Sequence, residues 1–156
     1  MSLSKIVVIA GVGAGNGTGA ATARLFASKG YSIALIARRK EELEGLANEI
    51  IAAGGDVSLY HNPLLSSVML TTNCTSSQAH AFPLPEGYSH TSLSTSFKSI
   101  KAHWPQATIN VGLWNAASWT RKPFLEITED EIKESLGTNL VGAFAFGKEV
   151  VGSFIA

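Results

Sequence analysis

The sequence has little cysteine, no excess of either charge and no long apolar run. The single cysteine, Cys74, has no partner within the chain, which excludes an intramolecular disulfide framework. Twelve basic and twelve acidic residues give a formal net charge of zero, so no long-range field favours nucleic acid or an anionic membrane. The apolar stretch 6–13 is far shorter than the roughly 20 residues of a membrane span. These absences favour a cytoplasmic protein with a small ligand.

The histidines also exclude a class of site. His61, His80, His90 and His103 do not share a metal-ligand spacing with one another or with Cys74. No metal site is therefore predicted.

Buried strands alternate with amphipathic helices along the chain. Short β-branched apolar runs predict strands at 5–11, 32–37, from 79 onward and 107–114. Apolar residues at helical spacing predict helices at 20–28, 40–51, 93–104 and from 128 nearly to the end, where Ile132, Leu136, Leu140 and Ala143 form the stripe. This alternation predicts an α/β, Rossmann-like fold in one domain over residues 1–156, with a parallel sheet, helices on both faces, and about four strands and four helices.

Residues 57–78 interrupt this pattern. They mix serine, threonine and apolar residues with no period of two or of 3.6, over a length that is unusual for a connection. One interpretation is a surface loop or a short irregular helix, because loop length adds only slowly to the entropic cost. The other is a translated intron, since the codons of Val57, Thr72-Asn73 and Gln78 can supply a donor, a branch point and an acceptor in frame. We therefore treat this segment as an irregular insert.

A glycine-rich run, Gly11-Val-Gly-Ala-Gly-Asn-Gly-Thr-Gly19, lies between the first strand and the first helix. Glycine permits positive φ there and lets the backbone approach a pyrophosphate, which the N–H groups of the helix start can bind. The alternative is a flexible glycine turn. The predicted cofactor-binding residues of this run are Gly13, Gly15, Asn16, Gly17, Thr18 and Gly19.

The end of the second strand indicates which dinucleotide the domain binds. NAD-specific folds place a carboxylate there for the ribose 2′-hydroxyl, whereas NADP requires a cation for the 2′-phosphate. The residues present are Arg38, Arg39 and Lys40, and no carboxylate occurs before Glu41. NADP(H) is therefore the predicted cofactor, with Arg38 the first candidate and Arg39 the second. The alternative is a solvated basic start of the next helix.

Two motifs resemble those of the short-chain dehydrogenase/reductase family. Gly13-x-x-x-Gly17-x-Gly19 resembles its glycine signature, and Trp114-Asn-Ala-Ala117 resembles its Asn-Asn-Ala-Gly motif. The resemblance covers residues 5–50 and 79–156. It implies that Asn115 and Ala116 line the adenosine-ribose side of the cofactor, although from the residues alone Asn115 is read more simply as a turn former.

The same resemblance bears on catalysis. Asn139 matches the asparagine of the family's Asn-Ser-Tyr-Lys group, which is thought to hold a water in a proton relay; without that context it is the exposed side of a helix. In the family a tyrosine is the general acid or base, and a lysine four residues later lowers its pKa. None of Tyr31, Tyr60 and Tyr88 has such a lysine. The residues after the third strand, Phe82-Pro-Leu-Pro, also depart from the Asp-Val that the family often has near adenine.

The resemblance thus implies an NADP(H)-dependent oxidoreductase acting on an unidentified carbonyl or alcohol, with these 156 residues a truncated N-terminal half that is inactive as written. The alternative is a catalytically dead nucleotide-binding fragment, or a pseudoenzyme acting through a partner; a third interpretation is an artefact of gene prediction. Whether the chain is an enzyme stays open. In the usual strand order the fourth strand is an open edge of an incomplete sheet, which allows a homo-oligomer.

Overall fold

The computed structural model describes residues 5–53 and 78–155. Its strands are β1 (Lys5–Ala10), β2 (Ser32–Ala37), β3 (Ala79–Pro83) and β4 (Thr108–Trp114). Its helices are α1 (Thr18–Ala27), α2 (Lys40–Ala53), α3 (His90–His103), α4 (Glu129–Leu136) and α5 (Ala143–Phe154), with a short 3-10 turn at Phe124–Glu126 and a π-helical segment at Gly137–Gly142.

The four strands form one parallel sheet in the order β3-β2-β1-β4. The chain therefore runs outward from β1 in one direction to β2 and β3, and then crosses to β4 on the other side. Such a reversal opens a crevice at the carboxyl ends of the strands, and ligands of open α/β sheets bind there. The predicted parallel α/β fold is confirmed, and β4 lies at an edge of the described sheet.

Apolar side chains fill both faces of the sheet. In β1, Ile6, Val8 and Ala10 belong to the core beneath α3 and α5, whereas Val7 and Ile9 belong to the core beneath α1 and α2. All five side chains are at most 1% exposed. Because successive residues of a strand point to opposite faces, a run that is apolar throughout can be buried only between two layers of helices. The predicted helices on both faces are confirmed.

The fourth predicted helix is observed as one continuous run of α4, the π-helical segment and α5. It begins with the predicted capping box, in which Thr128 accepts from the Glu131 backbone N–H and Glu131 accepts from the Thr128 backbone N–H. The predicted apolar stripe is only partly packed, since Ile132, Leu136 and Leu140 are 49%, 53% and 64% exposed. A π turn contains one more residue than an α turn, so it rotates the following helix and a different set of side chains reaches the sheet: Ala145, Phe146 and Val150.

The predicted irregular insert lies outside the described residues except for its last position. The backbone carbonyl of Gln78 accepts a hydrogen bond from the Ile33 N–H at 2.8 Å. Its side-chain oxygen accepts from the Trp104 indole N–H at 2.7 Å. Gln78 thus extends the pairing of β3 with β2 by one residue.

Candidate functional site

The loop after β1 holds its glycines in conformations that other residues rarely adopt. Gly11, Gly13 and Gly15 have φ values of +89°, +64° and +87°. A Cβ atom added to Gly13, Gly15 or Gly17 would meet nothing within 4 Å. The loop therefore presents bare backbone to an open space at the carboxyl end of β1, and a phosphate-sized group can approach that backbone closely.

Helix α1 begins directly behind this loop, two residues before the predicted start. Gly17 is its N-cap residue, no side chain caps it, and its first turn contains no acidic residue. Asn16 and Thr18 are exposed beside it. The first N–H groups of a helix lack intrahelical partners and carry a partial positive charge, so this terminus fits an anion.

The two remaining glycines of the run form a close-packed floor beneath the loop. A Cβ atom on Gly19 would lie 2.3 Å from the carbonyl oxygen of Gly11, and one on Gly11 would lie 2.4 Å from the backbone nitrogen of Ala116. Asn115 joins these segments: its side-chain N–H donates to the Gly11 carbonyl at 2.7 Å, and its backbone N–H donates to the Ala10 carbonyl at 2.8 Å. Only glycine fits where α1, the loop and the end of β4 meet.

A cation on α1 holds the outer part of the loop. The guanidinium of Arg24 donates to the Gly15 carbonyl at 2.7 Å and to both carboxylate oxygens of Glu49 at 2.7 and 2.8 Å. The Arg24 hydrogen bond lowers the pKa of Glu49 below its ordinary value. The sequence analysis did not predict these contacts of Arg24 with Gly15 and Glu49. The available signal was that Arg24 is the one charged residue of α1.

The two candidate arginines after β2 point in different directions. Arg38 Nη1 lies 3.4 Å from Glu134 Oε1 on α4, and Arg39 Nη1 lies 2.8 Å from Glu42 Oε1 on α2. Their side chains are 50% and 62% exposed. Arg38 therefore spans the crevice from β2 towards α4, whereas Arg39 is paired within its own segment.

Asn139 lies in the π-helical segment, and its side chain forms hydrogen bonds with the loop that follows β4. Its side-chain oxygen accepts from the Ser118 backbone N–H at 2.9 Å, and its side-chain N–H groups donate to the Ser118 carbonyl at 2.6 Å and to Ser135 Oγ at 3.0 Å. The amide thus orders the backbone at Ser118. The proton-relay role that the resemblance implies stays a prediction.

Trp114, which stands where the Asn-Asn-Ala-Gly motif has asparagine, packs in an aromatic cluster. Its ring contacts Tyr88 edge to face at 5.1 Å between centroids and Phe146 at 5.4 Å. A Cβ atom on Gly142 would lie 3.0 Å from both Trp114 and Tyr88, so glycine in the π-helical segment makes room for the indole. Burial raises the pKa of the Tyr88 hydroxyl above its ordinary value, and the charge of the nearby Arg38 offsets part of this rise.

The described residues show neither a metal site nor a membrane-spanning helix. Within 5–53 and 78–155 no three His, Cys, Asp or Glu side chains lie close enough to hold a metal ion. His80 and His103 stack with 4.1 Å between their centroids, and partial burial lowers the pKa of His80. Over the same ranges, no helix has the length and apolar character that a membrane span requires.

The packing at Gly19 generates a prediction with a matched control. Gly19→Ala places a methyl group against the Gly11 carbonyl, and we expect the free energy of unfolding to fall by about 1–3 kcal/mol. Gly45→Ala, on the exposed face of α2 with nothing near it, raises the same free energy by about 0.5–1 kcal/mol through helix propensity. Urea unfolding measures both changes. Equal effects of the two substitutions would contradict the close approach at Gly19.

Comparison with known proteins supports the same family. The model of the short chain dehydrogenase family matches residues 5–156. No curated protein sequence matches the chain. The chain is similar to an alcohol dehydrogenase from the archaeon Thermococcus sibiricus complexed with 5-hydroxy-NADP, with a TM-score of 0.71 and 24% identity over 97% of this chain and 53% of that one.

Two other solved structures have the same fold. A metagenomic short-chain oxidoreductase in complex with NADP gives a TM-score of 0.74 and 21% identity, covering 98% of this chain and 58% of that one. A 3-oxoacyl-[acyl-carrier protein] reductase from Brucella melitensis in complex with NAD gives 0.72 and 17%, covering 100% and 51%. The chain thus spans about half the length of these proteins. On the family match and the shared fold, it belongs to the short chain dehydrogenase family.

Proposed function

We propose that residues 1–156 form one dinucleotide-binding domain, with an irregular insert at 57–78, and that the domain binds NADP(H) in an oxidoreductase acting on a carbonyl or an alcohol. The observation that carries the proposal is the open backbone of the glycine loop in front of the uncapped start of α1, at the reversal point of a parallel sheet. Relatives of this fold in complex with NADP and with NAD support a dinucleotide.

The pyrophosphate is assigned to the glycine loop. Gly13, Gly15 and Gly17 leave the space in front of the backbone open, and the N–H groups from Gly17 to Gly19 begin a helix that no acidic side chain opposes. An anion there gains hydrogen bonds and the favourable end of the helix dipole. Arg24 contributes by fixing the Gly15 carbonyl, which keeps the loop in this conformation.

The ribose 2′-phosphate is assigned to Arg38. Its guanidinium lies beyond the end of β2 and extends across the crevice, where a planar cation can bind a phosphate through two hydrogen bonds. Arg39 is the second candidate. Its side chain is 62% exposed and can reach a ligand, but it is already paired with Glu42. This assignment favours NADP(H) over NAD(H).

The adenosine side is assigned to the end of β4. Asn115 and Ala116 lie next to Gly11, and the side chain of Asn115 is committed to the Gly11 carbonyl. We assign them to the floor under the adenosine ribose. When bound, the nicotinamide supplies or accepts the hydride. Asn139, which orders Ser118, is assigned to the family's proton relay.

A homo-oligomer is a further part of the proposal. Strand β4 lies at an edge of the described sheet, and unpaired strand edges favour association. Exposed apolar side chains on α5, namely Phe144 at 78% and Val151 at 56%, add an apolar surface that a second copy can cover.

Charge reversal at Arg38 tests the cofactor assignment. Arg38→Glu removes the cation and adds a repulsive charge, so we expect NADPH to bind at least about ten-fold more weakly, with a much smaller change for NADH. Lys40→Glu is the control, since it makes the same change of charge two residues later on an exposed side chain that pairs with Glu44. NADPH fluorescence titration measures the dissociation constants. Equal losses for NADPH and NADH would remove the assignment.

The second candidate function is dinucleotide binding without turnover. It concerns residues 1–156 by themselves, in which none of the three tyrosines is followed four residues later by lysine. NADPH oxidation over a panel of ketones and quinones, with a titration of the same sample, separates the two functions. Saturable binding with no oxidation supports the second candidate, and oxidation that depends on the added carbonyl supports the first.

A further inference from the structure

A carboxylate faces the arginine that the proposed function assigns to the 2′-phosphate. Glu134, on α4, has its Oε1 atom 3.4 Å from Arg38 Nη1 and 3.4 Å from Ser118 Oγ. The pair joins residues far apart in the chain, across the crevice between β2 and the helix after β4. Both side chains are about half exposed, at 50% for Arg38 and 59% for Glu134.

The position of Glu134 is set by a second group of contacts. Its partner Ser118 is held at both backbone polar groups by the side chain of Asn139, and its carbonyl also accepts from Ser135 Oγ at 3.2 Å. The Ser118 hydroxyl is therefore carried by an ordered backbone, and it directs the Glu134 carboxylate towards Arg38. The same carboxylate oxygen of Glu134 thus contacts both Ser118 and Arg38.

A carboxylate in this position affects the two dinucleotides differently. A 2′-phosphate carries between one and two negative charges at neutral pH and needs the cation that Glu134 already neutralises. The phosphate must therefore displace Glu134 from Arg38. The ribose 2′-hydroxyl of NAD(H) is uncharged, so the Arg38–Glu134 pair can stay formed when NAD(H) binds.

We propose that Glu134 is a specificity-determining residue, which limits the preference of the site for a 2′-phosphorylated dinucleotide by competing for Arg38. The inference rests on the proposed binding of NADP(H) at this site. Glu134 acts on cofactor binding only through the guanidinium of Arg38. It takes no direct part in the chemistry. The Arg38–Glu134 pair is partly exposed to solvent, so salt screens it. The effect of Glu134 on NADP(H) binding should therefore weaken as the salt concentration rises.

The test compares Glu134→Gln with Glu129→Gln in the full chain. Both substitutions remove one negative charge from α4, but Glu129 pairs with Lys133 and is 80% exposed. At low salt, we expect Glu134→Gln to bind NADPH about five-fold more tightly, with NADH changed by less than two-fold. Glu129→Gln should change neither constant by more than about two-fold. At high salt the gain for NADPH should shrink.

The outcomes separate this inference from the proposed function. A wild-type chain that prefers NADPH, together with a Glu134→Gln chain in which only NADPH binds more tightly, supports the inference. A wild-type preference for NADPH that Glu134→Gln leaves unchanged, or tightening of both dinucleotides alike, overturns the inference and leaves the proposed function standing. A wild-type chain that binds neither dinucleotide overturns both.

A double substitution tests whether Glu134 acts through Arg38. In an Arg38→Gln chain the carboxylate has lost the cation for which it competes, so adding Glu134→Gln should change NADPH binding by less than about two-fold. A full five-fold gain in that background would mean that Glu134 repels the phosphate directly, and would overturn the competition for Arg38.

Discussion

The hydrogen bond from the Asn115 side chain to the Gly11 carbonyl joins the two halves of the sheet where a ligand crevice can form. It is 2.7 Å long, and it links the loop after β1 to the segment after β4 across the point where the strand order reverses. The contact exists because Gly11 and Gly19 have no side chains, so the backbones approach more closely than any Cβ atom would allow. The open face of the glycine loop and the direction of α1 both depend on this floor.

Elsewhere in the candidate site, side chains also form hydrogen bonds with backbone groups of neighbouring loops. Arg24 fixes the Gly15 carbonyl, and Asn139 fixes Ser118 through both its N–H and its carbonyl. Loops carry few hydrogen bonds of their own, so such contacts hold them in one conformation. The charged groups Arg38 and Glu134 then face each other across an ordered frame, and their competition has a defined geometry.

The sequence was sufficient for the features that depend on local chemistry. Residues 33–37 are apolar at every position, which fits a strand buried on both faces, and the Thr128–Glu131 capping box was readable from its spacing. Glycines between a strand and a helix likewise indicated the position of the loop. The parallel sheet followed from the alternation of strands and helices, whereas the order of its strands was only assumed to be the usual one.

Features that depend on distant partners were not readable. Arg38 and Glu134 are 96 residues apart, and Gly11 and Asn115 are 104 apart, so no spacing along the chain indicates that they meet. The π-helical segment was also missed, because it differs from an α-helix by one residue in a turn and leaves little trace in the sequence. After this segment, Ala145, Phe146 and Val150 reach the core, and they do not continue the predicted stripe.

Binding of a dinucleotide at the glycine loop is tested most directly by a backbone amide NMR titration of the full chain with NADPH. We expect the largest chemical-shift changes at the amides of Gly13 to Gly19, with further changes at Arg38 and Ala116. The amides of His103 and Trp104, at the end of α3 and the opposite end of the sheet from the loop, should change little. Saturating shifts centred elsewhere, with the glycine-loop amides unchanged, would contradict binding at this loop.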